Sequence, residues 1–177
     1  KAYTTRVGSG PFPTELTDKD GELMRERGKE YGATTGRPRR CGWFDAVVVK
    51  YAVRINGLSG IVITKLDVLD AYKEIKICTG YKYKGRIFAE MPSELNILEE
   101  CEPVYDVMEG WNEDTSGITD YELFPEKAKQ YLKRLSELAG VKADMVSTGQ
   151  KRAETIIINN PFKRSHEASR SKAGVSK

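Results

Sequence analysis

Between Pro125 and Gly140, the residues Ala128, Tyr131, Leu132, Leu135, Leu138 and Ala139 recur at helical spacing and form one apolar stripe. A helix with a single apolar face must lay it against other elements, and the remaining sequence supplies mostly strands. Ile61–Thr64 is a β-branched run of strand type, and Glu74–Tyr83 and Arg86–Ala89 join through Lys84-Gly85 as a hairpin. Pro103–Met108, Asp144–Val146 and Thr155–Ile158 read as further strands, and Lys1–Val7 as the end of one. Three more helices are predicted. One runs from a cap at Asp20 to about Glu30 and ends at Gly32; another spans Ala46–Asn56 between Asp45 and Gly57; a short one covers Ser93–Glu100. The apolar residues of Ala46–Asn56 lie nearly all round the helix, which predicts burial. Gly8–Pro13, Gly32–Arg40 and Trp111–Thr119 read as loops. The expected class is α+β, with mixed, largely antiparallel strands and helices.

A chain of 177 residues can bury about 70% of its unfolded surface and needs no staples. The longest apolar runs, Ala46–Val49 and Ile156–Ile158, are too short to cross a bilayer, and nothing has the order of a signal peptide. Cys41, Cys78 and Cys101 form no CxxC pair, which argues against a zinc site or a disulfide framework and fits a reducing cytoplasm. The single histidine, His166, lies near the C-terminus. Lys1 in place of Met reads as a fragment or a processed product.

The net charge of +3 is unevenly placed. Lys163–Lys177 holds five basic residues and one acid, leaving 24 basic and 25 acidic residues in Lys1–Phe162, a balance of −1. A near-neutral body is not a nucleic-acid-binding domain of the usual kind, and no membrane partner is expected. The basic tail should be disordered, either a solvated terminus or frame-end artefact, or a weak tether to RNA or a membrane.

Three stretches can carry chemistry. Ala33-Thr34-Thr35-Gly36-Arg37-Pro38-Arg39-Arg40 sets three guanidiniums in four residues behind two hydroxyls and a glycine. Arginine forks bind carboxylates and phosphates bidentately, although an exposed basic turn has the same composition. Thr64-Lys65-Leu66-Asp67 follows an apolar strand. An aspartate there can accept from the N1–H and exocyclic amine of guanine, donors that adenine lacks, while the lysine stem lies along the purine. A surface Lys/Asp pair would look alike. Ser147-Thr148-Gly149 also follows a strand and offers amides and hydroxyls to a purine or ribose, or is an ordinary turn. There is no GxxxxGK[ST] loop to cradle a triphosphate, and no carboxylate pair spaced for acid/base work.

The stretches KAYTTRVGSGPFPTEL, EYGATTGRPRRCGWFD, LSGIVITKLDVLD, EPVYDVMEGW and VSTG followed by NNPF resemble, in order, the adenylosuccinate synthetase family over Lys1–Phe162. The resemblance is to the C-terminal portion of considerably longer chains. It implies a substrate- and guanine-recognition domain in 1–162 with a separate tail in 163–177. It further implies a cytoplasmic, homodimeric ligase that couples GTP to the joining of IMP and L-aspartate in AMP biosynthesis, assisted by Mg²⁺. Aspartate would be bound by Val7, Ala33, Thr34, Thr35, Gly36, Arg37, Pro38 and Arg39, and IMP also by Arg37. GTP would be bound by Arg39, Lys65, Leu66, Asp67, Ser147, Thr148 and Gly149. Pro38 departs from relatives that carry another arginine there. The catalytic residues and Mg²⁺ ligands are expected outside this chain, so the chain alone should be inactive. The alternative is a stand-alone, non-catalytic purine-nucleotide or anion-binding module. An RNA-binding module has little support.

Overall fold

The computed structural model describes residues 1–161; the tail predicted for 163–177 lies outside the described residues. In chain order the elements are β1 (Thr4–Arg6), α1 (Lys19–Gly28), β2 (Arg40–Gly42), β3 (Phe44–Asp45), α2 (Ala46–Asn56), β4 (Gly60–Ile63), a 3₁₀ turn (Leu66–Ala71), β5 (Glu74–Tyr83), β6 (Arg86–Phe88), α3 (Leu95–Glu100), β7 (Glu102–Glu109), α4 (Glu126–Ala139), β8 (Lys142–Ser147) and β9 (Thr155–Ile157). The described residues form three sheets: β1 with β2, β4-β8-β9, and β3-β5-β6 with β7 also on β5. The pairs β1–β2, β5–β6, β5–β7 and β8–β9 are antiparallel, while β3–β5 and β4–β8 are parallel. The class is α+β, as the pattern predicts.

Helix α4 sits as its stripe requires. Ala128, Tyr131, Leu132, Leu135 and Ala139 are buried, Leu138 is partly buried, and Gly140 closes the helix in the left-handed conformation. The stripe packs on β8 and α2, and the Tyr131 hydroxyl donates to the Ala2 carbonyl at 2.6 Å. One core joins these residues to Trp43, Phe44, Leu66, Ile75, Ile77, Trp111 and Val146.

Several expectations need correction. The cap of α1 is Asp18, whose carboxylate accepts from the amides of Asp20 and Gly21. The helix stops at Gly28 because Lys29 turns left-handed, at φ 48°; Gly32 instead opens the next loop. Asp45 does cap α2, accepting from Val47 and Val48, but the helix is not buried all round. It packs against α4 and β5, leaving Val48, Tyr51 and Ile55 exposed. The 111–119 loop is less polar in place than in sequence. Trp111 and Thr115 are buried and bind the Asp70 carboxylate, the indole N–H at 2.6 Å and the Thr115 amide at 2.7 Å.

Candidate functional site

The first cleft, of about 740 Å³, opens where β1 ends and the 32–39 loop rises beside it. It is lined by Arg6–Ser9 on one side and by Gly32, Thr35, Arg37, Pro38, Arg39 and Arg40 on the other. The loop is pinned at its base: the Arg39 amide donates to the Glu30 carbonyl at 2.8 Å and the Gly32 amide to the Arg37 carbonyl at 2.8 Å. At its tip Gly36 adopts φ 64°, a conformation that favours glycine. Arg37 is thereby carried exposed on the rim, with its backbone N–H on the Thr35 hydroxyl.

The arginines differ in what they are free to do. Arg40 is committed, clamped bidentately on Glu15 (2.8 and 2.5 Å) and donating to the carbonyls of Gly8 and Gly10. It shapes the 8–13 loop. Arg39 gives one N–H to Glu30, and its buried Nε has no partner among the described residues. Of the residues expected on an aspartate ligand, Val7, Thr35, Arg37, Pro38 and Arg39 share this cleft, whereas Ala33, Thr34 and Gly36 do not line it.

A second cleft, of about 800 Å³, has its origin in the parallel pairing of β4 with β8. Ile63 stands beside Val146, so the chain leaves both strands at the same edge, and the Thr64–Asp67 and Ser147–Gly149 turns face each other. The carboxyl ends of parallel strands are where open sheets build ligand crevices. Thr64, Lys65, Asp67, Ser147, Thr148 and Gly149 line the cleft, completed by Arg27–Lys29 and Ser116-Gly117. Leu66 is fully buried and, unlike its neighbours, does not line the cleft. The Thr148 hydroxyl is used inward, on the Ile118 carbonyl at 3.0 Å, which holds the wall beside Ser116. Gly149 lies against the Glu154 carboxylate, where a Cβ would meet Oε2 at 2.2 Å.

Two groups give this cleft its chemistry. Lys65 turns left-handed, at φ 61°, and its ammonium reaches the Gly28 carbonyl (2.6 Å) and Glu30 Oε1 (2.7 Å). Asp67 has one carboxylate oxygen, Oδ1, buried without a hydrogen-bond partner among the described residues. Burial holds its carboxyl above the usual carboxylate range, opposed by a hydrogen bond from its own backbone N–H and by Arg27 and Lys65, with the nearby Asp70 charge adding to the rise. Leaving one oxygen of a half-buried carboxylate unpaired is costly. Asp67 lies on the cleft wall beside Lys65 and opposite Ser147–Gly149.

Sequence reasoning missed Arg27, which donates to the Asp67 carbonyl at 3.0 Å, and Glu30, a fully buried carboxylate after α1. Neither has a local signal, because both matter through partners distant in the chain. The Mg²⁺ implied by the resemblance finds no cluster of three or more His, Cys, Asp or Glu among the described residues. No helix among them is long and apolar enough to cross a membrane.

The body is α+β, with an arginine-lined cleft and, at the carboxyl edge of a parallel strand pair, a cleft that holds a lysine–aspartate turn. Residues 1–156 match the adenylosuccinate synthetase family. The chain is 61% identical to the adenylosuccinate synthetase of Geotalea uraniireducens over 162 residues, covering 92% of this chain and 38% of that one. Against the Geobacter sulfurreducens synthetase the identity is 60%, with 92% and 37% covered. The structure of fully ligated adenylosuccinate synthetase from Plasmodium falciparum superposes with a TM-score of 0.83 at 41% identity, over 88% of this chain and 38% of that one. The chain belongs to the adenylosuccinate synthetase family, and it spans about 38% of the length of the relatives it matches.

Proposed function

We propose that the chain supplies the guanine- and aspartate-recognition portion of a GTP-dependent ligase that joins IMP to L-aspartate. In that reaction the γ-phosphoryl group of GTP passes to the purine O6 of IMP, leaving GDP. The aspartate amine then attacks C6, the phosphate departs, and adenylosuccinate is formed. Asp67 accepts from the guanine N1–H and exocyclic amine, Lys65 flanks the ring, and the Ser147–Gly149 turn closes the opposite side. Thr34, Thr35, Arg37 and Arg39, with Val7, Ala33, Gly36 and Pro38, take the aspartate carboxylates, and Arg37 extends to the IMP ribose. Acid/base groups, phosphate loop and Mg²⁺ ligands belong to the rest of such an enzyme, a cytoplasmic homodimer, and this chain alone is inactive.

The observation that carries the reading is that Asp67, with one carboxylate oxygen lacking a partner among the described residues, lines one cleft with Lys65 and Ser147–Gly149. The test is nucleotide selectivity of the full-length protein. GTP should support adenylosuccinate formation, and ATP, lacking both donors, should be at least about 100-fold poorer in kcat/KM, since leaving a polar site group unpaired against the wrong ligand discriminates strongly. Equal use of ATP and GTP would sink it.

A further inference from the structure

Glu30 stands between the two clefts and is the only carboxylate among the described residues that touches a lining residue of each through an ion pair. It follows α1 directly, and its side chain is fully buried. Oε1 accepts from Lys65 Nζ at 2.7 Å and the Tyr3 hydroxyl at 2.6 Å. Oε2 accepts from Lys1 Nζ at 2.9 Å and Arg39 Nη1 at 3.2 Å. Its backbone is held as firmly, the amide on the Arg25 carbonyl and the carbonyl under the Arg39 amide.

Three cations and a hydroxyl around one buried carboxylate are more than stability requires, since well-packed apolar residues often serve a fold as well or better. What such a cluster can provide is fixed relative position. Arg39 belongs to the arginine-lined cleft and Lys65 to the lysine–aspartate cleft, on segments 26 residues apart in sequence. Both have long, flexible stems; among the described residues Glu30 is the side chain that accepts from the Arg39 guanidinium and one of two groups that accept from the Lys65 ammonium, the other being the Gly28 carbonyl. Burial alone would favour the neutral acid, but the hydrogen bonds from Lys65, Tyr3 and Lys1 outweigh it and keep Glu30 ionised, well below its ordinary range.

We infer that Glu30 is a positioning residue that sets the Arg39 guanidinium and the Lys65 ammonium in one frame, so that a single carboxylate fixes the geometry of both the aspartate and the guanine subsites. The inference rests on the assignment of those subsites proposed above. It predicts that one substitution, contacting neither ligand, weakens both.

The experiment is steady-state kinetics on the full-length synthetase. Glu30→Gln should raise KM for aspartate and for GTP by about tenfold each, the scale of a lost charge-assisted contact, with kcat changed much less. Double-mutant cycles separate positioning from general damage. In an Arg39→Met background, Glu30→Gln should no longer change the aspartate KM; in a Lys65→Met background it should no longer change the GTP KM. Unchanged KM values in Glu30→Gln, or increases that persist undiminished in both backgrounds, overturn the inference. Should Glu30→Gln fail to fold, Glu30→Asp keeps the charge but shortens the reach; it too should raise both KM values, and wild-type values in that variant overturn the inference. If Arg39→Met and Lys65→Met themselves leave the KM values unaltered, the subsite assignment falls and this inference with it. If they raise them while Glu30→Gln does not, only the role of Glu30 is refuted.

Discussion

Asp67→Asn should move ligand binding and protein stability in opposite directions. In the free protein the Asp67 carboxylate is half desolvated, lies near Asp70 and leaves Oδ1 unpaired, so its charge is a burden on the fold. Asparagine has nearly the same shape and removes the charge; the melting temperature of the ligand-free variant should be equal to or above that of the wild type. GTP binding should suffer. Each hydrogen bond to a charged acceptor contributes about 1.5–3 kcal/mol, and the asparagine amide either accepts one N–H weakly or opposes it with its own donor. A net loss of about 3 kcal/mol corresponds to a GTP KM roughly 100-fold higher. Inosine triphosphate, which lacks the exocyclic amine, makes the assay specific. The wild type should prefer GTP over it by about tenfold or more, and Asp67→Asn should erase most of that preference. A GTP KM within about threefold of wild type, or an unaltered preference between the two nucleotides, would refute the reasoning. The pH dependence has a definite sign. Because the carboxyl is held above its ordinary value, its acceptor form is lost as pH falls at a higher pH than for a typical aspartate, and GTP affinity should weaken there.

Arg37→Leu should raise the aspartate KM by about 10- to 100-fold while leaving the melting temperature alone, since Arg37 is exposed and its side chain holds no other part of the described fold. An unchanged KM would remove the loop from the aspartate subsite. Gly28→Ala would set a Cβ 2.2 Å from the Tyr3 hydroxyl, forcing Tyr3 off Glu30; a loss of about 1–3 kcal/mol in chemical denaturation is expected, and wild-type stability would show that the contact relaxes freely. The stability gap between wild type and Glu30→Gln should depend on acid pH. The folded-state carboxyl is depressed from 4.5 to about 2, so its contribution, up to roughly 3 kcal/mol, is complete above about pH 4.5 and disappears as pH falls toward 2. Denaturation curves of the two proteins that stayed a constant distance apart through that range would contradict it.

Local chemistry was legible in the sequence wherever one element decides for itself. The α4 stripe, the Asp45 cap and Gly57 stop of α2, and the bounds of β5 follow from spacing and turn residues, and all appear in place. Where two nearby aspartates could cap one helix, spacing did not choose: Asp18 takes the role expected of Asp20, accepting from the amides of Asp20 and Gly21. Helix α2 misled in another way. An apolar ring reports what a helix is able to bury, not what the described body covers, and Val48, Tyr51 and Ile55 remain in contact with solvent. The sequence places Lys65 just after a strand, but nothing local announces a left-handed lysine; its ammonium is held by Gly28 and Glu30, more than 30 residues earlier.

The site as a whole depends on a relation that period-two patterning cannot carry, the partner and direction of each strand. Ile61–Thr64 and Asp144–Val146 are legible as strands, yet nothing in either says they are parallel neighbours about 80 residues apart in sequence. Had they paired antiparallel, the Lys65–Asp67 turn and the Ser147–Gly149 turn would leave from opposite edges, and no ligand of nucleobase size could touch both. Parallel pairing puts Ile63 beside Val146 and so makes one cleft out of two weak tetrapeptide and tripeptide signals. The same holds for Glu30. A glutamate after a helix is unremarkable until the fold brings Lys1, Tyr3, Arg39 and Lys65 around it, and only then does the wall between the clefts become a candidate determinant of both.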